Sequence, residues 1–220
     1  MLAGTNTFFC VDAAQTAGTE VVDFAKMRCD YLAFTGHKGL LGPPGIGGLA
    51  SASWPATATN PLIEGGTGSR SEDEYQPDFL PDKFESGTQN LPGIAGLAAG
   101  VRMISEAGLT AIRKQRNMLM ETLLLGLSEI NGVTIYGTKN AAKSVPTVSI
   151  KMAGVDSGDL SFMLDQAYEI QTRSGLHYAP LAHKTIGTFP EGTVRFSLGY
   201  QNTAEDVDAI IAALREISAF

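Results

Sequence analysis

A lysine amine can form an imine with an aldehyde, and an acidic partner can keep a pyridine nitrogen protonated so that the ring accepts electrons. Two residues of this chain have the types and the setting for that chemistry. Lys38 lies in TGHKGLLGPPGIGG, residues 35–48, where His37 precedes it and five glycines and two prolines fill the next ten positions. Asp12 stands in VDAAQTAG, with Gln15 three residues further on. Each follows a short apolar run, Phe8 to Val11 in one case and Leu32 to Phe34 in the other. Such runs read as strands of a parallel sheet covered on both faces. Open α/β sheets bind ligands beyond the carboxyl ends of their strands, so the two residues can flank one crevice. Pyridoxal phosphate needs that pair; an ordinary surface ion pair also satisfies the spacing.

The remaining elements must position these two. GIGGLAS, residues 45–51, is a candidate third strand, and residues 52–90 form a long irregular stretch rich in Gly, Pro, Ser, Thr and acids. Stretches of that length in compact proteins are often functional. Helical periodicity follows at Ile94, Leu97, Ala98, Val101 and Ile104, with Gly108 as the stop. A second helix carries Ile112, Leu119, Leu123, Leu127 and Ile130 and ends at Asn131-Gly132. Beyond it, strands are expected at 133–136, 145–151, 170–173 and 193–198, and a helix around Leu160, Met163, Leu164 and Ala167. The last helix has Thr203 as N-cap and Asp206 completing a capping-box pattern. The expected organisation is a partial α/β large domain over residues 1–131 and a small α+β domain over residues 132–220.

The composition narrows the function classes. Of 220 residues, 44% are hydrophobic and 18% charged, the profile of a globular chain with a sizeable core. The net charge of −7 and the lack of Lys/Arg runs argue against a nucleic-acid or acidic-membrane surface. No apolar stretch is long enough to span a bilayer, and the start lacks a secretory pattern. Two cysteines do not make a disulfide scaffold, so a reducing cytoplasm is the expected location. Cys10 and Cys29 read as small buried hydrophobes. The three histidines have no metal-ligand spacing, and no metal site is expected. His183 reads as a loop-surface residue.

VDAAQTAG followed by LAFTGHKGLLGPPGIGGL resembles the signature of class V aminotransferases, of pyridoxal-phosphate fold type I. GGTGSRSE, FESGTQNLPGIAGL, RSGLHYAPLAHKTIGT and GTVRFSLGYQNTAEDVDAI resemble its cysteine desulfurase and selenocysteine lyase branch, in the family's order. The resemblance implies the C-terminal portion of the fold type I large domain followed by the small domain. It implies pyridoxal 5'-phosphate as cofactor, Lys38 as the Schiff-base lysine, Asp12 holding the pyridinium proton and Gln15 bonding the ring hydroxyl. Thr35 and His37 contact the phosphate on this reading. Thr88 contacts the phosphate of the other subunit's cofactor, which implies a homodimer. Arg195 clamps the carboxylate of a small amino-acid substrate, Arg173 assists, and His177 and Tyr178 lie in the same pocket. The glycines and prolines after Lys38 then make a stiff turn through which backbone approaches the cofactor.

The sequence departs from that family twice. Tyr178 occupies the position at which the family's desulfurases carry the cysteine whose thiolate takes up the substrate's sulfur. A phenol is a harder, weaker nucleophile and carries no such intermediate, so the expected chemistry shifts from persulfide formation towards elimination, racemisation or transamination. Only eleven residues precede Asp12, where the family has a long region supplying further strands and a ring that stacks on the cofactor. The chain is then a fragment, the partner of a companion N-terminal chain, or the product of a truncated gene. Two functions compete: a pyridoxal-phosphate enzyme with altered chemistry, and a non-catalytic remnant or partner-binding subunit of that fold.

Overall fold

The computed structural model describes residue 5, residues 7–66 and residues 68–219, with residues 53–55 described by their backbone alone. The chain divides into two compact units, Met1–Leu109 and Thr110–Phe220. The sequence reading set the boundary after the second long helix; the structure sets it before that helix, whose Leu119, Met120, Leu123 and Leu127 belong to the second unit's core.

In the first unit, β1 (Cys10–Asp12), β2 (Tyr31–Thr35) and β3 (Gly47–Ser51) form a three-stranded sheet in the order β1-β2-β3. β1 pairs parallel to β2 with Asp12 opposite Ala33, and β3 pairs antiparallel with Thr35 opposite Gly47. Two short helices, α1 (Phe24–Met27) and α2 (Ser53–Ala58), and the long α3 (Leu91–Ala107) complete the unit. α3 begins where the sequence can cap it: Asn90 accepts the Gly93 N–H at 3.1 Å and a proline opens the first turn. It stops at Gly108, as the sequence indicates.

The core of this unit is thin. Ala13, Cys29 and Leu32 are buried, with Val11, Ala17, Val22, Phe24, Phe34 and Ala50 packed partly against them. The expectation of a strand covered on both faces fails at β1: Phe8 is 45% exposed, Phe9 38%, and Cys10 is exposed as well. Among the described residues β1 is an edge strand, and Phe8 and Phe9 lie just before it, with the Phe8 ring edge-on to Tyr31. Cys29 is buried, as expected of a small hydrophobe.

The second unit is built differently. α4 (Leu109–Ser128), α5 (Ser157–Tyr168) and α7 (Ala204–Ile217) supply most of the helical side of a core closed by β4 (Val133–Tyr136), β5 (Thr147–Met152), β6 (Arg173–Gly175) and β7 (Thr193–Ser197). α6 (Pro180–Thr185) joins β6 to β7. The sheet order is β4-β5-β7-β6, antiparallel throughout. Burial alternates along β5, so Val148, Ile150 and Met152 enter the core while Thr147, Ser149 and Lys151 stay on the other face. Leu123, Leu127, Ile150, Leu160, Leu164, Val194, Val207 and Leu214 are fully buried, each worth about 1.5–3 kcal/mol relative to exposure. The expected strand at 170–173 lies three residues later, because Arg173–Gly175 is the segment that pairs with β7. The capping box on α7 is present, Thr203 and Asp206 each accepting the other's backbone N–H. Among the described residues no helix is long and apolar enough to cross a membrane.

Candidate active site

Parallel pairing places the carboxyl ends of β1 and β2 side by side. Asp12 closes β1, and its Oδ1 accepts the Ala14 N–H at 2.8 Å, which turns the chain sharply into the segment bearing Gln15. The ladder continues one step further as the Ala13 N–H donates to the Ala33 carbonyl at 2.8 Å. Thr35 closes β2, and its hydroxyl lies 2.8 Å from His37 Nδ1. Lys38 follows at once, its carbonyl accepting the Leu41 N–H at 3.0 Å. Asp12, Gln15, His37 and Lys38 are exposed and Thr35 is half-buried, so their polar ends are accessible to a ligand.

Two glycines fix the turn after β1 against the turn after β2. Gly18 has φ +80°, and a Cβ there would sit 2.2 Å from the Gly39 carbonyl oxygen. A Cβ on Gly39 would sit 2.4 Å from Thr19 Cγ2 and 2.6 Å from the Ala17 carbonyl oxygen. Backbone therefore packs on backbone between the segment bearing Gln15 and the segment bearing Lys38. Beyond Lys38 the chain is tied down by Gly42 N–H to Gly36 O and Gly36 N–H to Ile46 O, both 2.8 Å. The Asn90 side chain, at the start of α3, donates to the Gly45 carbonyl at 3.2 Å. The sequence reading missed Asn90 in this role; a polar residue just before an apolar helical run was the available signal.

Five of the expected residues, Asp12, Gln15, Thr35, His37 and Lys38, thus stand on two interlocked turns. Thr88 does not join them through any hydrogen bond among the described residues. It is exposed, and follows Gly87, whose N–H reaches the Gly66 carbonyl at 3.0 Å.

The second unit carries its own cluster. Arg195 lies on β7 between the core-facing Val194 and Phe196, and Arg173 is its direct partner across β6. Arg173 Nη2 donates to the Tyr178 hydroxyl at 3.1 Å, and its guanidinium carbon lies 5.3 Å from the centre of the Tyr178 ring. His177 Nε2 donates to the Arg173 carbonyl at 2.9 Å. His177 and Tyr178 are both left-handed, at φ 50° and 61°, a conformation that costs non-glycine residues about 1–2 kcal/mol each. Tyr178 is 91% exposed. Burial pushes the His177 imidazole below its ordinary pKa, and the charges of Arg195, His183 and Arg173 add to the effect, against the hydrogen bond to the Arg173 carbonyl.

His183 is not a loop-surface residue. It sits on α6, 5% exposed, with Nδ1 2.7 Å from the Thr188 hydroxyl and its ring 5.6 Å from that of His177. The short helix and Thr188 beyond it bury the imidazole with its hydrogen bond made. Thr193 was also missed; it precedes Arg195 by two residues in the strand and so shares its face.

Against known proteins, residues 2–210 match the family described as Aminotransferase class-V. The chain belongs to the class V aminotransferase family. It is 36% identical over 222 aligned positions to a protein of Pyrococcus abyssi named "Probable cysteine desulfurase", an alignment covering 99% of this chain and 54% of that protein. Its fold superposes on the apo structure of a cysteine desulfurase from Thermococcus onnurineus with a TM-score of 0.89 and 39% identity, over 97% of this chain and 53% of the other. The cysteine desulfurase CsdA of Escherichia coli, solved with an S-sulfonic acid, gives 0.86 and 28%, over 97% and 52%. The chain therefore spans about half the length of the relatives it matches. Class V aminotransferases and cysteine desulfurases are pyridoxal-phosphate enzymes. The residues present fit that cofactor: an amine, a carboxylate and a hydroxyl–imidazole pair stand on turns whose glycines keep side-chain bulk away from the backbone.

Proposed function

We propose that this chain carries the lysine-bearing part of a pyridoxal-phosphate enzyme acting on a small amino acid, without persulfide chemistry. The observation that supports this most is the interlock of the Asp12–Gln15 turn with the Lys38 turn at Gly18 and Gly39. Bound pyridoxal phosphate supplies an electron-accepting ring that weakens the bonds at a substrate's α-carbon. Lys38 is the amine that holds its aldehyde, and Asp12 is the carboxylate for its ring nitrogen. Gln15 bonds the ring hydroxyl, and Thr35 and His37 bind the phosphate. Thr88 serves the phosphate of the other subunit in a homodimer, which light scattering of the purified chain tests. Arg195 takes the substrate carboxylate, for which a planar two-pronged cation is suited.

At Tyr178 this chain has no thiol to receive sulfur. The phenol is engaged with Arg173, and proton transfer at the α-carbon or loss of a side-chain leaving group remains open to the site. Borohydride treatment of cofactor-loaded protein, followed by peptide mass mapping, tests the reading. Addition of one cofactor at Lys38, lost in Lys38→Ala, is the expected result; no addition at Lys38 with excess cofactor overturns it.

A second reading is that of a partner-binding subunit. The exposed Phe8 and Phe9 along the β1 edge favour it, since bare strand edges with apolar side chains recruit other chains. A colourless protein that ignores added cofactor, and pairs with a separate chain carrying further strands of this fold, is the result that selects it.

A further inference from the structure

The antiparallel register of the second unit lines up four side chains across one face of its sheet. Tyr136 is opposite Ser149, Ser149 opposite Arg195, and Arg195 opposite Arg173. Directly opposed residues of an antiparallel pair point to the same face with Cβ atoms about 5 Å apart, and like charges placed so repel. The row thus holds two guanidiniums and two hydroxyls and no carboxylate, in a chain whose net charge is −7. The ion pairs of this unit lie elsewhere, between Lys151 and Glu191 and between Arg215 and Glu129.

Neither arginine has its charge met among the described residues. Arg173 is held by a neutral phenol, through a hydrogen bond and a ring contact that orient the guanidinium without neutralising it. Arg195 Nε is buried and has no hydrogen-bond acceptor. Thr193, the next residue on that face of β7, is fully buried and its hydroxyl also lacks a partner. Buried donors left in this way are costly, about 1–3 kcal/mol each and more when charged. Both atoms are closed to solvent, so an anion meets the row through the accessible parts of the half-buried Arg195 and the exposed Arg173.

We propose that Arg173 and Arg195 together bind two anionic groups of one substrate, so that the amino acid taken has a short side chain ending in a second carboxylate or similar anion. This rests on the reading above that Arg195 receives the α-carboxylate. Arg173 receives the second anion, and Tyr178 is a positioning residue that holds Arg173 in the row.

The test uses the cofactor-free chain, with succinate as the two-anion probe and acetate as the one-anion probe, at constant ionic strength. Binding is followed by calorimetry and by the His177 ring resonances. Succinate is expected to bind at least about tenfold more tightly than acetate. Arg173→Gln is expected to bring succinate down to the acetate level, and Arg173→Lys to recover part of the difference. Lys151→Gln, on the same face but paired with Glu191, is expected to leave the ratio unchanged. Equal binding of the two probes, or a ratio that survives Arg173→Gln, overturns the proposal. Cofactor trapping at Lys38 separates this idea from the reading beneath it. Trapping without the succinate preference removes the two-anion site alone. The preference without trapping keeps that site and removes the cofactor reading.

Discussion

If the two turns at the carboxyl end of β1 and β2 are locked by glycine, three alanine substitutions must separate in a definite way. Gly45 has φ +81°, and a Cβ there meets nothing nearer than 3.9 Å, so Gly45→Ala carries only the left-handed backbone penalty. That penalty is about 1–2 kcal/mol. Gly36 lies outside the left-handed region, but its Cβ would sit 2.7 Å from Ile46 Cγ2 and 3.0 Å from the Ile46 carbonyl oxygen. Gly36→Ala carries only overpacking, about 1–3 kcal/mol, reduced by whatever movement the Ile46 side chain allows. Gly18→Ala carries both, with φ +80° and a clash at 2.2 Å against backbone that has no rotamer to yield. The sum is about 2–5 kcal/mol. The probe is amide hydrogen exchange at Ala13, whose N–H bonds the Ala33 carbonyl at the end of the β1–β2 ladder. Protection there should fall modestly in Gly45→Ala and Gly36→Ala and most in Gly18→Ala, and cofactor trapping at Lys38 should likewise fall most in Gly18→Ala. Equal protection in Gly18→Ala and Gly45→Ala refutes the interlock, and with it the observation on which the proposed function chiefly stands.

Three further outcomes follow from the second unit. The His177 imidazole is held below its ordinary pKa of 6.5; the unfolded chain therefore binds more protons between the lowered value and 6.5, and stability falls as pH drops through that window and is fully present above it. Urea midpoints at a series of pH values measure this, and His177→Gln should flatten the acid limb. Thr203→Ala should destabilise the start of α7 by about 1 kcal/mol, read as faster exchange of the Asp206 amide, whose acceptor is the Thr203 hydroxyl. The thiol introduced by Tyr178→Cys, at a position 91% exposed and five residues from Arg173 in the β6–α6 turn, should alkylate faster than buried Cys29. On incubation of the cofactor-loaded variant with L-cysteine it should gain the mass of a sulfur atom; a fast-alkylating thiol that gains none contradicts the proposed link between Tyr178 and lost persulfide chemistry.

Much of this arrangement is legible in the residues, and the exceptions have physical causes. The helix ends are local events, so Gly108 after α3 and Thr203 with Asp206 at α7 are read from a few neighbouring letters, and Asn90 before α3 with Pro92 in its first turn carried the same kind of signal. The juxtaposition of the Asp12 and Lys38 turns follows from two apolar runs being parallel neighbours. The exposure of Phe8 and Phe9 does not follow, because an apolar run records what a strand needs covered and not what lies over it. His183 was hidden for the opposite reason. A polar residue among Pro, Gly and Thr reads as surface, yet Thr188 supplies the hydrogen bond that makes its burial tolerable. The left-handed pair at His177 and Tyr178 has no glycine or asparagine to announce it; the hydrogen bond from His177 to the Arg173 carbonyl and the stacking of Tyr178 on Arg173 hold it in place.

On the proposed reading, that last turn separates recognition from reaction. The arginines are anchored on strands, where the β7 ladder and the core beneath Val194 and Phe196 fix their position. Residue 178 stands on the turn beyond, almost wholly exposed, and its side chain contributes nothing to the core. A substitution at 178 therefore leaves the strands and the core in place and acts on the row only through the Arg173 side chain that Tyr178 holds. A thiolate at that position would bring a negative charge to Arg173, whereas the phenol brings a ring and a hydroxyl and leaves the guanidinium's charge available. On the proposed reading, Tyr178→Cys should therefore weaken the preference for succinate over acetate while it allows sulfur uptake from L-cysteine, so the two assays applied to that one variant should move in opposite directions.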